Sequence, residues 1–541
     1  MADDSTSSPG ERPAWVRLLL PSVSDVVFIG MLAALVFTPL SVRLLGDAGI
    51  GWHIRTGQLI LATHAIPWED VFSATMHGKA WFAWEWLYDL LVGWLEHEAG
   101  LNGVVWFTAA MIAAVFAWTY RLLVRRGADV FGALALVLLA ASASMIHFFA
   151  RPHVVSWLFA LAWFWILDSF ELRGGRLVWM LPLLMAVWVN VHGGFLIGFI
   201  LLAIYWVSAV WQWLTLGENK LDEFLTKLRA STRALTLAAA GVLSLAATLV
   251  NPYGWKLHAH IYKYLSNRFL MDHIDEFQSP NFHGVAERCF AGLLLITLIA
   301  LALRARQLRL SEGLVVLFAV FSGLYASRNI PVSSLLLVMV AGPMLPSRVF
   351  FRFIGRRGNG LRPMGKPQVR PMSIDGAAVP AFLERMGGIE SSLHGRLWAI
   401  AALVATGWAA AHGGHLGPRL MMDAHFDSRR FPVTAVDYLE KSSLPKTVIS
   451  PDYWGGYLIY RLYPKGIVAV DDRHDLYGEQ FLKSYLKLVR VQPGWDEVLR
   501  EGDIQCVLAP RGSALNNILA LQPTWTEIYR DEVAVVFMRR Q

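Results

Sequence analysis

The chain of 541 residues is 55% hydrophobic and only 16% charged, with 23 tryptophans, 2 cysteines and a formal charge of +7. Soluble domains average about 45–50% apolar and about 25% charged residues, so this composition excludes an ordinary cytosolic enzyme and a disordered protein. Two cysteines are too few for a disulfide scaffold, a cysteine-rich zinc site or an iron–sulfur protein. The basic residues lie in short loops between apolar runs, which excludes nucleic-acid binding and predicts a multi-spanning membrane protein.

Apolar runs long enough to cross hydrocarbon, which takes about 20 residues per helix, recur along the chain. They predict a mainly α fold, a polytopic bundle of about eleven transmembrane helices. The runs lie at 23–44, 102–122, 129–149, 154–172, 177–191, 195–215, 233–250, 288–304, 312–327, 330–346 and 397–412. The first run is long and lacks a small-residue cleavage site, so a signal peptide is not expected.

Lysine and arginine in the loops predict the orientation, because basic residues favour the cytoplasmic side. With the segment 1–22 in the cytoplasm, every cytoplasmic loop of the predicted topology is basic. These loops carry Arg121, Arg125, Arg126, Arg173, Arg176, Lys220, Lys227, Arg229, Arg233, Arg304, Arg306, Arg309 and the cluster in 347–396. The segment 347–396 is predicted to be a flexible basic linker that contacts anionic lipid.

Two segments are too polar to span. Within the transmembrane module 23–346, the outer loop 45–100 is interrupted and rich in tryptophan, and 53–61 and 84–95 are predicted as amphipathic helices on the membrane surface. After the last span, 397–412, the segment 413–541 has a soluble composition and is predicted to be a small α/β domain outside the cell. Its predicted strands are 447–450, 467–470, 504–508 and 533–538, with helices at 480–489 and 495–500.

Polar residues of the membrane part gather at helix ends on the predicted outer face. Ionisable groups near membrane depth are costly, by a few kcal/mol on insertion scales, so they usually mark a site. For each residue alone a hydrogen-bonded helix end is the alternative interpretation, whereas for the set a functional cavity is favoured. The set is Asp47, His53, Arg55, Trp84, Glu85, Asp89, Arg151, Pro152, His153, Asn190, His192, Asn251, Pro252, Tyr253, Asp275, Glu276, Ser327, Arg328 and Asn329.

The charges in this set indicate its chemistry. Guanidinium groups bind phosphate through two parallel hydrogen bonds, and carboxylates serve as general bases. No glycine-rich phosphate motif lies between a strand and a helix, which favours a lipid-linked donor over a nucleotide sugar. A transporter would bury charge at mid-bilayer, where these runs are apolar. The candidate ligands of a lipid phosphate are His53, Arg55, Arg151, His153, Asn190, His192 and Arg328.

Several motifs carry a resemblance to a known superfamily. The stretches are GDAGIGWHIRTGQLI (46–60), WFAWEWLYDLL (81–91), ARPH (150–153), WVNVHGGFLIG (188–198), LVNPYG (249–254), EFQSPNFH (276–283), DYWGGYLIYRLYP (452–464) and VDDRHDLYG (470–478). With the acidic first outer loop, the surface helices and the C-terminal domain, the chain resembles a bacterial branch of the C-type fold (GT-C) of polytopic glycosyltransferases. That superfamily uses polyprenyl-phosphate-linked sugars and contains protein mannosyltransferases and aminoarabinose transferases.

The resemblance implies a mechanism. Asp47, the acidic residue after the first helix, is implied to be the base that activates the acceptor, with Glu85 as the fallback. The usual branch pattern has a second acid two positions later, where this sequence has Gly49, and this lowers the expectation of a metal. The implied reaction inverts the anomeric carbon as polyprenyl phosphate departs. The cations expected to stabilise that phosphate are Arg151, His153, His192 and Arg328, followed by Arg55.

The implied partners are a polyprenyl-phosphate-linked sugar, membrane lipids and a glycan, lipid or protein acceptor, without nucleic acid. No metal ligand is assigned, and a divalent cation is left open as a cofactor. The implied location is the bacterial plasma membrane. Two alternatives stay open: a non-catalytic membrane subunit with the same fold, which Gly49 favours, and a lipid or solute transporter.

Two C-terminal motifs have more than one interpretation. The run from Asp471 to Asp475 is a hydrogen-bonded loop or, less favoured, a cation site. Gly455 and Gly456 allow either the close approach of a glycan or a tight helix start.

Overall fold

The computed structural model describes residues 19–216, 221–345, 378–393, 396–442 and 447–540. In this part of the chain the protein is mainly helical, with a small mixed sheet near the C-terminus. Most of the predicted N-terminal segment 1–22, Lys220 and most of the predicted basic linker 347–396 lie outside the described residues. The described end of that linker is a helix, Ala378–Ser392.

Six described helices are long and apolar enough to cross a membrane, and shorter apolar helices accompany them. Each predicted apolar run coincides with a helix, whereas the count of eleven spans stays a prediction. The six are Trp86–Arg125, Val130–His147, His153–Arg173, Gly193–Thr215, Leu221–Ala247 and Val285–Arg304. The shorter ones are Val23–Phe37, Leu177–Trp188, Leu310–Tyr325 and Leu397–Ala411, and Ile330–Met344 is a further buried helix.

The chain divides into two compact units. The first comprises Met1–Ala33, Ala110–His147 and Ser279–Thr406, and the second comprises Ala34–Ala109, Phe148–Gln278 and Gly407–Gln541. In the first unit the buried carboxylate of Glu390 accepts hydrogen bonds from the backbone N–H groups of Val23 (2.9 Å) and Ser24 (3.3 Å). Glu390 therefore satisfies N–H groups that would otherwise be unpaired at the start of the first helix.

The predicted surface helices are both present in the second unit. One is Gly49–Thr63, and the other begins the long helix Trp86–Arg125. Gly100 interrupts that helix with φ 60° and ψ −159°, so the surface segment and the apolar span are separated where the polarity changes. Further helices of this unit include Leu40–Leu44, Leu181–Trp188, Leu196–Thr215, Trp255–Leu265 and Arg268–His273.

The C-terminal segment contains a short hairpin and a five-stranded mixed sheet. The hairpin joins β1 His415–Leu416 to β2 Arg419–Leu420, and the strands of the sheet are β3 Thr447–Ile449, β4 Ile467–Val468, β5 Cys506–Pro510, β6 Trp525–Arg530 and β7 Ala534–Arg539. Their order in the sheet is β4-β3-β5-β7-β6. β3 is parallel to β4 and β5, whereas β7 is antiparallel to β5 and β6. Four of the five strands lie where the sequence predicted them, and β6 was not predicted because Thr526, Glu527 and Arg530 give it a polar composition.

Five helices accompany this sheet. The predicted helical segment 480–489 lies within one of them, and 495–500 overlaps a shorter one. They are Val433–Lys441, Asp452–Leu462, His474–Arg490, Glu497–Glu501 and Ala514–Leu521.

The edge strand β4 is covered by the N-terminal outer loop. The Ala74 N–H donates to the carbonyl of Val468 (2.8 Å), and Thr75 Oγ1 donates to the carbonyl of Ala469 (2.6 Å). Behind this contact Arg473 is 3% exposed, and its guanidinium pairs with Asp471 (2.7 Å) and Asp70 (2.7 Å). Because an unpaired edge exposes backbone groups, this pairing both protects the strand and attaches the sheet to the loop.

A backbone contact between two helices completes this attachment. A β-carbon on Gly51 would lie 2.1 Å from the carbonyl oxygen of Gly456, and one on Gly456 would lie 2.3 Å from that of Ala48. Helix Asp452–Leu462 therefore packs directly on the start of helix Gly49–Thr63. The space beside Gly456 is filled by protein backbone, which decides against the approach of a glycan there.

Candidate functional site

Two carboxylates flank one arginine at the start of helix Gly49–Thr63. Nη1 of Arg151 lies 3.0 Å from Oδ2 of Asp472 and 3.6 Å from Oδ1 of Asp47. The indole N–H of Trp52 donates to Oδ1 of Asp472 (3.0 Å). The side chains of Asp47, Arg151 and Asp472 are 31%, 22% and 16% exposed, so Asp47 is the most open of the three.

Local backbone geometry positions each member of this cluster. Asp47 Oδ1 accepts a hydrogen bond from the N–H of Gly49 (2.8 Å). This hydrogen bond closes a turn at the start of the helix. Arg151 lies in the turn before helix His153–Arg173, where the N–H of Ala150 donates to the carbonyl of Leu44 (2.7 Å). Asp472 follows β4, at the carboxyl end of a parallel strand, where ligands of mixed α/β sheets commonly bind.

The absent side chain of Gly49 makes the cluster sterically possible. A β-carbon there would lie 1.7 Å from Nη1 of Arg151 and 2.6 Å from Oδ2 of Asp472. Both distances are far below van der Waals contact. The guanidinium and the carboxylate therefore occupy the space that any side chain at position 49 would need.

The cluster carries one permanent positive charge and one carboxylate with altered proton affinity. Burial works to lower the pKa of Arg151, but the carboxylates of Asp47 and Asp472 outweigh it and hold the pKa above its ordinary value. Burial raises the pKa of Asp472 to about 6, although Arg151 pulls it down. Arg151 is thus charged at any physiological pH, and Asp472 titrates close to neutrality.

A second group lies behind the first and is centred on His53, which is 1% exposed. Nδ1 of His53 is 2.5 Å from Oδ1 of the fully buried Asp89, and Nε2 is 3.8 Å from Glu85. Burial lowers the pKa of His53 well below 6.5, and Arg151 lowers it further. His53 is therefore neutral at physiological pH and links two carboxylates inside the unit.

Glu85 connects this group to His192. Nε2 of His192 lies 3.8 Å from Oε1 of Glu85, while Nδ1 lies 2.8 Å from Oγ of Ser156. Trp188 donates its indole N–H to the same hydroxyl (2.7 Å). Glu85 is 11% exposed at its side chain, so it retains a small opening to solvent between two imidazoles.

Two predicted phosphate ligands are engaged with protein groups instead. Asn190 donates both amide hydrogens, to the carbonyls of Ala186 (2.8 Å) and Val250 (2.7 Å), and accepts from Trp86 (2.7 Å). Arg55 donates to the carbonyl of Tyr460 from both Nε and Nη2, and from Nη1 to Gln58. These contacts join segments of the unit and leave the Asn190 amide without a donor for phosphate.

The remaining predicted cations occupy different parts of the fold. His153 begins helix His153–Arg173 and packs on Trp157 with ring centroids 5.4 Å apart. His153 is close enough to contribute to the lowered pKa of His53. Arg328 belongs to the other compact unit, in the short 3-10 turn Ser327–Asn329.

Of the two predicted carboxylates Asp275 and Glu276, Glu276 influences the pKa of Arg151. Glu276 lies in the turn Asp275–Phe277 and contributes to the raised pKa of Arg151. The cluster around Arg151 is therefore more acidic than the two direct partners alone indicate.

The charged run 471–475 consists of a loop, 471–473, and the start of helix His474–Arg490, and each of its charged side chains has a partner. Asp471 pairs with Arg473, Asp472 with Arg151, His474 with Asp452 (2.8 Å) and Asp475 with His260 (2.9 Å). Sequence reasoning did not assign Asp472 to the site. The signal available was its position directly after a predicted strand.

The arrangement does not suit a divalent cation. The guanidinium of Arg151 lies between Asp47 and Asp472, where a metal shared by these carboxylates would bind. Across the described ranges, no group of three or more His, Cys, Asp or Glu side chains is arranged to hold a metal ion. We therefore assign no chemical step to a metal.

Comparison with known proteins establishes the fold. No family model matches the chain, and no curated protein matches its sequence. The oligosaccharyltransferase of Archaeoglobus fulgidus, tethered to an acceptor peptide containing the NVT sequon, superposes with a TM-score of 0.54 at 11% identity, over 92% of this chain and 69% of that one. The same organism's AglB, in complex with an inhibitory peptide and a dolichol-phosphate, gives 0.53 at 11% identity, over 90% and 69%.

ArnT from Cupriavidus metallidurans, bound to undecaprenyl phosphate, matches 95% of this chain and 96% of its own at 15% identity, with a TM-score of 0.46. The superpositions on the two Archaeoglobus structures show that the chain shares their fold, the C-type or GT-C fold. At these identities the likeness establishes the fold alone.

Proposed function

We propose that this protein is a glycosyltransferase that moves a sugar from a polyprenyl-phosphate-linked donor to an acceptor. The observation that carries the proposal is the pairing of Asp47 with Arg151 at 3.6 Å, in a protein with the GT-C fold. Binding of a dolichol-phosphate by the structurally similar AglB supports the class of donor. A base beside a permanent cation suits a reaction that removes a proton and releases a phosphate.

In the proposed reaction Asp47 accepts the proton of the acceptor hydroxyl. The hydroxyl oxygen forms a bond to the anomeric carbon while the bond from that carbon to the phosphate oxygen breaks. The leaving oxygen keeps the electron pair, and the anomeric centre inverts. Asp47 is the best placed carboxylate because its side chain is 31% exposed, against 16% for Asp472 and 11% for Glu85.

Arg151 is proposed to stabilise the departing phosphate, with His153 and His192 as further candidates. A guanidinium that is always charged needs no proton transfer to perform this work, and a site of low polarity strengthens the interaction. Arg55 is a weaker candidate because its donors face Tyr460 and Gln58.

Glu85 is the alternative base. Its carboxylate lies 3.8 Å from the imidazoles of both His53 and His192. Two imidazoles are therefore close to the position at which Glu85 would accept a proton. This candidate predicts that Glu85→Gln, and not Asp47→Asn, abolishes turnover.

The proposed setting follows the loop charges. The protein is proposed to be a multi-pass protein of the bacterial plasma membrane, with its N-terminus in the cytoplasm and the segment 413–541 outside. The acceptor would then reach Asp47 from the outer face.

The experiment is binding of undecaprenyl phosphate to the purified protein, with undecaprenol as the control that lacks the phosphate. We expect the wild type to bind only the phosphate form, and Arg151→Ala to weaken binding at least about tenfold. Arg429→Ala is the matched control, because Arg429 is 90% exposed at its side chain and pairs with Asp427. Equal binding of both lipids would contradict the proposal.

Turnover is tested separately with labelled undecaprenyl-phosphate sugars and envelope extracts as acceptors. Asp47→Asn is expected to bind the lipid normally and to lose at least about a hundredfold in transfer. A wild type that binds the lipid but transfers none of the sugars tested would favour the non-catalytic subunit. Movement of the lipid across vesicle membranes without transfer would favour the transporter.

A further inference from the structure

The C-terminal sheet region supplies a carboxylate to the site. We propose that Asp472 is a positioning residue for the transfer reaction: it holds the guanidinium of Arg151 and thereby keeps Asp47 available as the base. This inference rests on the proposed function. It assigns a catalytic contribution to a residue more than 400 positions away from Asp47 in the chain.

The first argument is steric. Position 49 has no side chain, and the space a β-carbon would need is taken by Arg151 Nη1 (1.7 Å) and Asp472 Oδ2 (2.6 Å). The carboxylate of Asp472 thus lies beside Arg151 in space that a side chain at position 49 would need.

The second argument is that the position of Asp472 is defined by its surroundings. The indole of Trp52 donates to its other oxygen (3.0 Å), so both carboxylate oxygens have a partner. The residues on either side are held by their own ion pairs, Asp471 with Arg473 and His474 with Asp452. Since β4 pairs with the outer loop and Gly456 packs against Ala48, the carboxylate has little freedom to move away from Arg151.

The third argument is the competition between two carboxylates for one guanidinium. Arg151 lies closer to Asp472 (3.0 Å) than to Asp47 (3.6 Å), and Asp47 is the more exposed carboxylate. A close guanidinium lowers the proton affinity of a carboxylate and makes it a weaker base. By keeping Arg151 on its own side, Asp472 leaves the more exposed carboxylate of Asp47 open to the acceptor. The charged groups that act on Asp472 are Arg151, Asp47, Asp471 and His474.

The test compares Asp472→Asn with Asp475→Asn. Asp475 belongs to the same charged run, but its partner is His260 and it does not touch Arg151. In Asp472→Asn we expect kcat to fall about tenfold to a hundredfold, whereas KM for the lipid-linked sugar is expected to stay the same or to fall. The acidic limb of the kcat profile is expected to move down by about one pH unit, because Arg151 then closes on Asp47. Asp475→Asn is expected to show neither change.

Binding provides a readout that does not require transfer. Removing the charge of Asp472 removes an anion that competes with the lipid phosphate for Arg151. Undecaprenyl phosphate is therefore expected to bind Asp472→Asn about three to ten times more tightly. A merely structural role would give weaker binding, the opposite sign.

A second test moves the carboxylate from position 472 to position 49, and it applies even if Asp472→Asn proves unstable. The double variant Gly49→Asp with Asp472→Gly places a carboxylate at position 49 and vacates the space beside it. The obstructing atom of Arg151 is the far end of a flexible side chain, so we expect kcat to recover to within about tenfold of the wild type. Failure of the double variant to exceed either single variant would overturn the proposal.

The two proposals fail in different ways. If the wild type binds and transfers while Asp472→Asn matches Asp475→Asn in kcat, pH profile and binding, the positioning role is wrong and the glycosyltransferase stands. If the wild type binds no undecaprenyl phosphate, the proposed function is wrong and this inference falls with it.

Discussion

The carboxylate of Asp472 lies 2.6 Å from the point where a β-carbon on Gly49 would stand. Gly49 has no side chain, and Asp472 supplies a charge from a distant part of the chain. Between them Arg151 is held by two carboxylates, at 3.0 and 3.6 Å. This relationship joins the first outer loop to the C-terminal sheet and leads to predictions about both.

Gly49→Ala is predicted to weaken lipid binding as well as stability. The new methyl group would lie 1.7 Å from Nη1 of Arg151, so the guanidinium must leave its place beside Asp472. We expect a loss of about 1–3 kcal/mol in unfolding free energy, together with weaker binding of undecaprenyl phosphate. Thermal unfolding in detergent and lipid titration measure the two effects. Gly387→Ala is the control, because nothing lies within 4 Å of a β-carbon there, and an equal loss in the control would contradict the steric argument.

Asp472 is predicted to make the native state less stable as the pH rises. Its native pKa of about 6 exceeds the ordinary 3.8, so the native state binds the proton more tightly than the unfolded state does between these values. Stability from this group is present at low pH and is lost as the pH rises through about 6. Between about pH 5 and about pH 7.5 the wild type should lose about 1 kcal/mol relative to Asp472→Asn. Parallel melting curves of the two proteins over this range, without a change in their difference, would refute the assignment.

His53 is predicted to have the opposite pH dependence. Its native pKa lies well below 6.5, so the unfolded state binds the proton more tightly. Stability from this group is present above about pH 6.5 and is lost as the pH falls below that value. We therefore expect the wild type to lose stability relative to His53→Gln as the pH falls below about 6.5. The measurement is the difference between the melting temperatures of the two proteins over this pH range. The surface variant His412→Gln serves as control, since His412 is exposed at a helix end.

Arg473 is predicted to be essential for the attachment of the outer loop to the sheet. It is 3% exposed, pairs with Asp70 and Asp471 at 2.7 Å each, and stacks 4.6 Å from the ring centroid of Trp81. Arg473→Ala leaves two buried carboxylates without their cation, and we expect a loss of about 3–5 kcal/mol. Urea or thermal unfolding measures it. Limited proteolysis should then cleave the outer loop faster, whereas Arg429→Ala should behave as the wild type.

Local features of the sequence predicted much of the fold. A run of apolar residues is a local property, so each predicted span coincides with a helix, and the short, mainly apolar segments 447–450, 467–470, 504–508 and 533–538 located four of the five strands of the main sheet. The break at Gly100 separates the surface segment from the apolar span, at the boundary that the change in polarity indicated.

The candidate site was predictable in part. Asp47 and Arg151 were selected from their positions at helix ends, and the structure brings them together at 3.6 Å. Asn190 was selected for the same reason, yet its amide joins three segments of the unit. A residue's position at a helix end follows from the sequence, whereas its hydrogen-bond partners depend on chain segments that are distant in sequence.

The sequence by itself determined that this is a helical membrane protein with a polar C-terminal segment and charged residues at helix ends. These features follow from the length and position of apolar runs, which depend only on residues that are neighbours in the chain. Only the tertiary structure decided which charges meet. The contact of Gly51 with Gly456 and the pairing of β4 with the outer loop bring Asp472 to Arg151. The energy of an ion pair depends on separation and burial, and neither can be deduced from the order of residues along the chain.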